Sequence, residues 1–359
     1  MTSSRPRVLL LWHSLTGYWA AAVRALAEQA DVTVLVRPPD PLAPYDYDAL
    51  ELNGAELQVA PWRWSHGLLD ELVERTRPDV TCSIGHTPGM WRVLHRARRE
   101  YGTTTVMFTD NLWFGTSRQH AVQLLFKFVR PYAFDRVFVP GARSTEYVEQ
   151  LGFSREDVLT GACTVDEARF VSVAAGSATR WADPRFLFCG RLVEGKAPDV
   201  LAEAYRIYRE RVANPWPLQV VGHGPFDGGL RGAPGVIMSD FVQPDALPKI
   251  YADAGALILP SRYDSWGVVA LEGCAAGLPV VISDGCGAAD EMATPGNGFV
   301  VDAGDPVSLA RALTALTEAS SDQRRAWGRT SGQIASAYAP EHWADTLLSV
   351  ASLQRFAVS

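Results

Sequence analysis

Residues Leu259 to Asp284, LPSRYDSWGVVALEGCAAGLPVVISD, decide the fold. The Ala256-Leu-Ile-Leu run that leads into them reads as a buried strand ending at Pro260. Ser261-Arg-Tyr-Asp-Ser is a polar loop, and Trp266 to Ala276 reads as a helix stopped by Gly277. Pro279-Val-Val-Ile is the next strand. The four segments make one parallel βαβ unit, so a ligand is expected where its strand ends and its helix begins. Two acids frame the unit. Asp264 stands in the loop, and Glu272 follows about two helical turns inside a segment reading VVALEGCAA. A carboxylate there is expensive to bury without a partner. Ribose hydroxyls would serve as one, because an ionised carboxylate accepts two hydrogen bonds at once; a salt-bridged or surface acid is the plain alternative.

Length and charge bound the rest. A chain of 359 residues with 47% apolar residues has material for two domains. Residues 1–150 carry 16 basic and 16 acidic side chains, and the remainder 17 basic against 24 acidic. No half is basic, which argues against nucleic acid as a partner. The five cysteines are widely spaced, with no CxxC and no zinc pattern, and fit buried thiols in a reducing compartment. The apolar run near the N-terminus covers only Val8 to Trp12, too short for a signal peptide or a membrane span, so the expected location is cytoplasmic.

In the first half, Val8–Trp12, a loop at His13–Gly17, a helix from Tyr18 to Ala30 and a strand over Asp31–Val36 open a doubly wound domain. Gly17 alone does not make a GxGxxG fingerprint, so no dinucleotide cofactor is expected. Asp46-Tyr-Asp48 resembles a metal-binding DxD, but it lies in a Pro-rich loop with no strand before it, and no metal is assigned. Strands at Leu57–Ala60, Asp79–Cys82, Thr103–Phe108, Asp135–Pro140 and Asp157–Leu159 alternate with helices at Gly67–Arg77, Met90–Tyr101, Gln119–Tyr132 and Gly141–Leu151. Two strand ends carry polar candidates: His86, and Asp110 with Asn111. Asp110 reads either as an acceptor-side base or as the cap of the following helix. The Gln119–Tyr132 helix sets Val122, Leu125, Phe126 and Val129 on one face. It reads as a domain helix, with peripheral membrane contact as the other reading.

Val171 to Asp183 is small and polar, a connector. The second half then opens with a strand at Arg185–Cys189 followed by Gly190, Arg191 and Lys196, the last of these one of only three lysines in the chain. Arg offers a fork and Lys a point charge at a strand-to-helix turn, which together suit a diphosphate. Leu218–Val221 ends in Gly222-His-Gly224-Pro, whose glycines allow a backbone to come close to a ligand. Two helices fill Ser308 to Tyr338, and Glu341–Phe356 is a last amphipathic helix.

Taken together these strings resemble retaining glycosyltransferases of family 4. Asp264, Trp266, Gly267 and Glu272 occupy the positions of its Glu-x-Phe-Gly-x4-Glu signature, and Gly-Leu-Pro-Val follows as in its Gly-x-Pro-Val tail. Gly190-Arg-Leu-x3-Lys196 is similar to its diphosphate site, with Ala197 in place of a final Gly. Val165-Asp-x3-Phe170 is similar to a segment before its linker, and Gly285-Cys-Gly287-Ala-Ala-Asp290 to a turn that in the family carries Glu. The resemblance is motif-specific from about 164 to 300 and topological before that. It implies a GT-B fold: an acceptor domain over residues 1–165, a nucleotide-sugar domain over 166–340 and a helix at 341–359 crossing back, with His13 to Gly17 facing the cleft. It implies hexose transfer from a UDP or GDP sugar, with no cofactor or metal. Arg191 and Lys196 would stabilise the leaving diphosphate, helped by the Gly267 and Val268 amides. Glu272 would hold the ribose, Asp264 the sugar hydroxyls and Val242 the base. Gly17, Gly190, Gly222, Gly224, Ser265 and Trp266 complete the donor set. His13, His86, Asp110 and Asn111 stand on the acceptor side, and Asp110-Asn111 replaces the His-Asp the family commonly has. No side chain reads as a covalent nucleophile, so a front-face reaction is expected. A sugar-nucleotide epimerase of the same fold and a nucleotide-binding protein without turnover are the rival readings.

Overall fold

The computed structural model describes residues 5–61, 63–84, 88–174 and 180–353. It divides into two compact units. The first runs to Asp40, resumes over Tyr45–Thr164 and takes the segment from Pro340; the second holds Pro41–Pro44 and Val165–Ala339.

In the first unit the order is β1 (Arg7–Leu11), α1 (Gly17–Gln29), β2 (Asp31–Val36), β3 (Glu56–Val59), α2 (His66–Thr76), β4 (Val80–Ser83), α3 (Pro88–Tyr101), β5 (Thr104–Phe108), α4 (Ser117–Ala133), β6 (Arg136–Val139), α5 (Ala142–Gln150) and β7 (Val158–Thr160). The second unit holds α6 (Glu167–Ala174), β8 (Phe186–Cys189), α7 (Pro198–Arg211), β9 (Leu218–Val221), β10 (Val236–Ser239), α8 (Leu247–Asp253), β11 (Ala256–Leu259), α9 (Val268–Ala275), β12 (Val280–Ser283), α10 (Ala289–Met292), β13 (Gly298–Val301), α11 (Pro306–Glu318) and α12 (Ser321–Ala335). A final helix, α13 (Pro340–Leu353), returns to the first unit.

The first unit's sheet has the order β3-β2-β1-β4-β5-β6-β7 and the second's β10-β9-β8-β11-β12-β13, with every pairing parallel. Strands covered on both faces need no polar alternation, and the central ones are apolar throughout, as in Val8–Leu11 and Ala256–Leu259. Apolar clusters lie on opposite faces of the first sheet. One is built on Leu10, Val34 and Trp19, the other on Leu9, Leu11 and Met107. This is the doubly wound arrangement expected from the alternation of strand and helix.

The last helix belongs to the packing of the first unit. Trp343 is fully buried, its Nε1 donates to the Ala162 carbonyl at 2.9 Å, and its ring meets Trp12, Trp19 and Phe138 at 5.9, 6.0 and 5.6 Å. Two expectations need correction. The polar run expected to be a connector from Val171 is helical through Ala174, because Phe170 packs edge-on against Tyr251 of α8 at 5.4 Å and draws the chain onto the second unit. In α4, Leu125 is not on the core face: Phe126, Val129 and Ala133 are buried, whereas Leu125 is 47% exposed. Among the described residues no helix is long and apolar enough to cross a membrane.

Candidate active site

In the second sheet the chain leaves β8 outward through β9 and β10, then returns to place β11 on the other side of β8. The direction of winding therefore reverses between β8 and β11. In doubly wound sheets ligands bind outside the carboxyl ends of the strands at such a switch point. The loops that emerge there are those holding Arg191–Lys196 and Ser261–Gly267.

Side chains of these two loops meet. The Lys196 ammonium donates to Asp264 Oδ2, and both side chains are largely shielded, at 18% and 11% exposure. The backbone ties the loops as well, through Tyr263 N to the Gly195 carbonyl at 3.1 Å. Arg262 grips Asp199 in the first turn of α7 with two nitrogens at 2.7 and 2.5 Å, a bidentate clamp that sequence reasoning missed. The turn after β12 closes the other side. Asp264 N donates to the Gly285 carbonyl at 3.1 Å and Gly287 N to the Asp264 carbonyl at 2.9 Å. A side chain at Gly285 would put its Cβ 2.4 Å from the Arg262 carbonyl oxygen, so this contact requires glycine.

The helix expected from Trp266 starts instead at Val268, because Gly267 takes a left-handed φ of 91° as its N-cap. A Cβ there would stand 2.6 Å from Cys286 Sγ. Trp266 is buried, while Ser265 and Val268 are half-buried beside the first turn of α9. The start of α9 leaves backbone N–H groups and partial positive charge beside Lys196 and Asp264, a setting suited to an anionic ligand. At Ala197 the chain is again left-handed, with φ 54°, which is the backbone reason a glycine suits that position.

Glu272 has a partner that the sequence did not disclose. The buried Tyr251 hydroxyl donates to its Oε2 at 2.6 Å. Burial pushes the Glu272 carboxyl up to about 7, with the Tyr251 hydrogen bond pulling the other way. Tyr251 itself is raised well above the ordinary phenol range by burial, then by Cys189 and by Glu272. Cys189, at the end of β8, is pushed up to about 12 by burial and then by Glu272. One carboxylate oxygen is thus anchored from α8 while the residue keeps part of its surface open to solvent. No motif signals Tyr251, which lies on α8, 21 positions before Glu272.

The glycines after β9 have a packing role within the fold. At Gly222, φ is 130° and a Cβ would lie 2.1 Å from the Gly190 carbonyl; at Gly224 it would lie 2.1 Å from that of Leu192. They let the loops after β8 and β9 pack backbone to backbone, with Gly190 N bound to the Val221 carbonyl and Leu192 N to that of His223, each at 2.9 Å. The same packing sets Arg191 on the exposed surface of the loop. Val242 is half-buried after β10, at the sheet edge, and the neighbouring Gln243 donates to the Pro44 carbonyl at 2.9 Å.

The remaining candidates lie in the first unit. Gly17 is the first residue of α1, and His13 is exposed after β1. Asp110 does not cap α4: Thr116 does, in a reciprocal box with Gln119. That removes the capping reading and leaves Asp110 on the loop after β5, where it adds to the burial that raises the Tyr18 phenol. The Asn111 amide donates to Thr109 Oγ1 at 3.0 Å. His86 lies outside the described residues. Asp46 Oδ1 accepts from the Asp48 amide at 3.1 Å, a local turn, and no group of three or more metal-ligating side chains occurs among the described residues.

Known proteins resemble the chain in part of its sequence and in its fold. Residues 183–319 match the family described as Glycosyl transferases group 1. A D-inositol 3-phosphate glycosyltransferase from Salinispora tropica is 36% identical over 145 residues, covering 36% of this chain and 30% of that protein. Its counterpart from Corynebacterium urealyticum is 33% identical over 177 residues, covering 45% and 41%. The chain thus spans less than half the length of these curated relatives. Among solved structures, a glycosyltransferase from Rickettsia africae superposes with a TM-score of 0.76 at 11% identity, covering 99% of each chain. Anabaena Alr3699/HepE in complex with UDP superposes with a TM-score of 0.71 at 17% identity, covering 98% of this chain and 100% of that one. The two parallel-sheet units have the GT-B fold.

Proposed function

We propose that the chain is a retaining glycosyltransferase that moves a hexose from a nucleoside-diphosphate sugar to a hydroxyl of a glycan, a lipid-linked sugar or a natural product. The observation that carries this reading is the meeting of Lys196, Asp264 and the start of α9 at the switch point between β8 and β11, with Glu272 two turns further in. The relatives named glycosyltransferases and the UDP complex of a similar fold support a nucleotide-sugar donor.

In this reading the diphosphate lies against Lys196, Arg191 and the Gly267 and Val268 amides. Charge developing on the leaving group is met there by fixed donors, and such preorganised electrostatics is usually the largest catalytic contribution. An arriving diphosphate competes with Asp264 for the Lys196 ammonium. The Asp264 carboxylate it releases is then positioned to accept from hydroxyls of the sugar. Glu272, held by Tyr251 through one oxygen, offers the other to the ribose. Departure and attack share one face of the sugar, so no covalent adduct forms and the anomeric configuration is kept. Asp110 is the acceptor-side base in this scheme, and His13 and Asn111 belong to the acceptor side.

A thermal-shift titration with UDP, GDP, ADP and TDP tests the donor site in wild type and Lys196→Ala. A nucleotide present at about 100 Kd adds ~2.7 kcal/mol to the folded state. One nucleotide is expected to raise the wild-type Tm and to lose most of that effect in the variant. If none raises it, or if the variant responds equally, the site is wrongly assigned. With the matching sugar nucleotide and an acceptor, NMR of the product anomer then reports retention or inversion.

A further inference from the structure

We propose that Arg180 is a positioning residue of the donor site, acting through Tyr251 on Glu272 to favour a nucleotide with intact ribose hydroxyls; this rests on Glu272 holding the ribose, as in the reading above. Arg180 is the one basic residue between Val171 and Asp183. It is buried, at 8% exposure, and its guanidinium donates to three carbonyls. Nε reaches that of Ala252 at 3.0 Å, Nη2 that of Tyr251 at 3.3 Å and Nη1 that of Gly277 at 3.4 Å. Burial pushes the guanidinium down to about 10, with the Asp253 charge pulling the other way. A buried charge is a poor way to gain stability. What this one supplies is a rigid planar fork whose donors point to more than one partner at once.

The carbonyls it takes belong to the ends of two helices. Tyr251 and Ala252 lie in the last turn of α8, and Gly277 follows the end of α9. One planar group thus ties these two ends together, and the partial negative charge of both faces the guanidinium. Side chains of the same two helices form the Tyr251–Glu272 hydrogen bond. Tyr251 is held at three points: its carbonyl by Arg180, its ring edge-on by Phe170 of α6 at 5.4 Å, and its hydroxyl by Glu272 at 2.6 Å. Glu272 is half-buried, with one oxygen fixed by that hydroxyl. A carboxylate can accept from both ribose hydroxyls only when its plane is correctly aimed, and small misplacements are costly. A dideoxyribose offers no such donors, so its binding is indifferent to the aim of Glu272. Loss of positioning is therefore read as loss of discrimination between the two nucleotides.

Titration calorimetry of the whole chain with UDP and dideoxy-UDP, or the matching pair for whichever nucleotide raises the Tm, tests this. Wild type, Tyr251→Phe, Arg180→Lys, the double variant and Glu272→Gln are compared, with circular dichroism and Tm as checks of folding. Tyr251→Phe keeps the ring and its contact with Phe170; Arg180→Lys keeps the charge and removes the fork, with Arg180→Gln as the second variant should Lys not fold. Wild type is expected to bind the ribo form at least about tenfold more tightly, the lower end for hydrogen bonds to a charged group. Each single variant should lose most of that ratio through weaker ribo binding, with dideoxy affinity within about twofold of wild type. The double variant should lose no more than Tyr251→Phe alone, the signature of one residue acting through the other. Among the described residues, Tyr251 of α8 and Cys189 at the end of β8 are the titratable groups coupled to Glu272. Because the Tyr251 hydroxyl pulls the Glu272 carboxyl down, Tyr251→Phe should also move the onset of discrimination to higher pH. Equal weakening of both nucleotides shows a merely structural role and overturns the proposal. A wild-type ratio in Arg180→Lys, or losses that multiply in the double variant, overturns the route through Tyr251. A ratio lost in Glu272→Gln but kept in both single variants overturns the positioning and leaves the donor reading standing, whereas no preference in wild type overturns both.

Discussion

Replacing Glu272 by Gln separates the energetic burden of this residue from its proposed use. Burial raises its carboxyl from 4.5 to about 7. A carboxyl whose pKa is higher folded than unfolded resists ionisation in the folded state. Its penalty is absent below about pH 4.5, grows as pH rises towards about 7, and is complete above that. At 1.36 kcal/mol per unit, the difference of about 2.5 units corresponds to roughly 3 kcal/mol at pH 8. Glutamine keeps the size and an oxygen to accept from the Tyr251 hydroxyl, but carries no charge. Glu272→Gln is therefore expected to be more stable than wild type at about pH 8 by up to ~3 kcal/mol, and to converge with it near pH 5. Denaturant unfolding followed by circular dichroism across that range measures the gap. The same variant is expected to lose the nucleotide-induced rise in Tm, because an amide is a poorer acceptor for two ribose hydroxyls. A variant less stable at pH 8, or a gap that does not change with pH, would refute the reasoning about the buried carboxylate. A retained nucleotide response would refute its assignment to the ribose.

Two further substitutions probe the scaffold. Gly222→Ala places a methyl 2.1 Å from the Gly190 carbonyl at a φ of 130°. It is expected to cost at least about 2 kcal/mol and to weaken nucleotide binding together with stability, both read in one thermal-shift series; an unchanged Tm would show that the loops after β8 and β9 are not in this contact. Trp343→Ala empties a fully buried site and leaves the Ala162 carbonyl without its 2.9 Å donor. A loss of about 3–5 kcal/mol in chemical denaturation is expected, and a loss below 1 kcal/mol would show that α13 adds little to the first unit.

What the sequence determined by itself was the order of elements and the identity of the second unit's loops. Apolar runs of four or five residues such as Val8–Leu11 and Ala256–Leu259 are local signals, and strands buried on both faces leave them uninterrupted. Gly277 marks a helix end by backbone chemistry that operates within a few residues, and signals of this local kind are why the boundaries fell within two or three positions. The spacing of Arg191, Lys196, Asp264 and Glu272 was legible for the same reason: each stands at a fixed offset from a strand end.

Only the tertiary structure decided what these residues do to one another. Lys196 and Asp264 are 68 positions apart and meet because β8 and β11 are neighbours across the switch point, a fact of strand order and not of pattern. Tyr251 reaches Glu272 where α8 and α9 both pack against α6, with no sequence period linking them. The Gly222 and Gly224 requirement arises from a carbonyl on another loop. In α4 the helical period predicted an amphipathic face but not how much of the circumference the sheet would cover, so Leu125 was placed on the wrong side. Burial is set by the surface a helix meets, and that surface is assembled from strands distant in the chain.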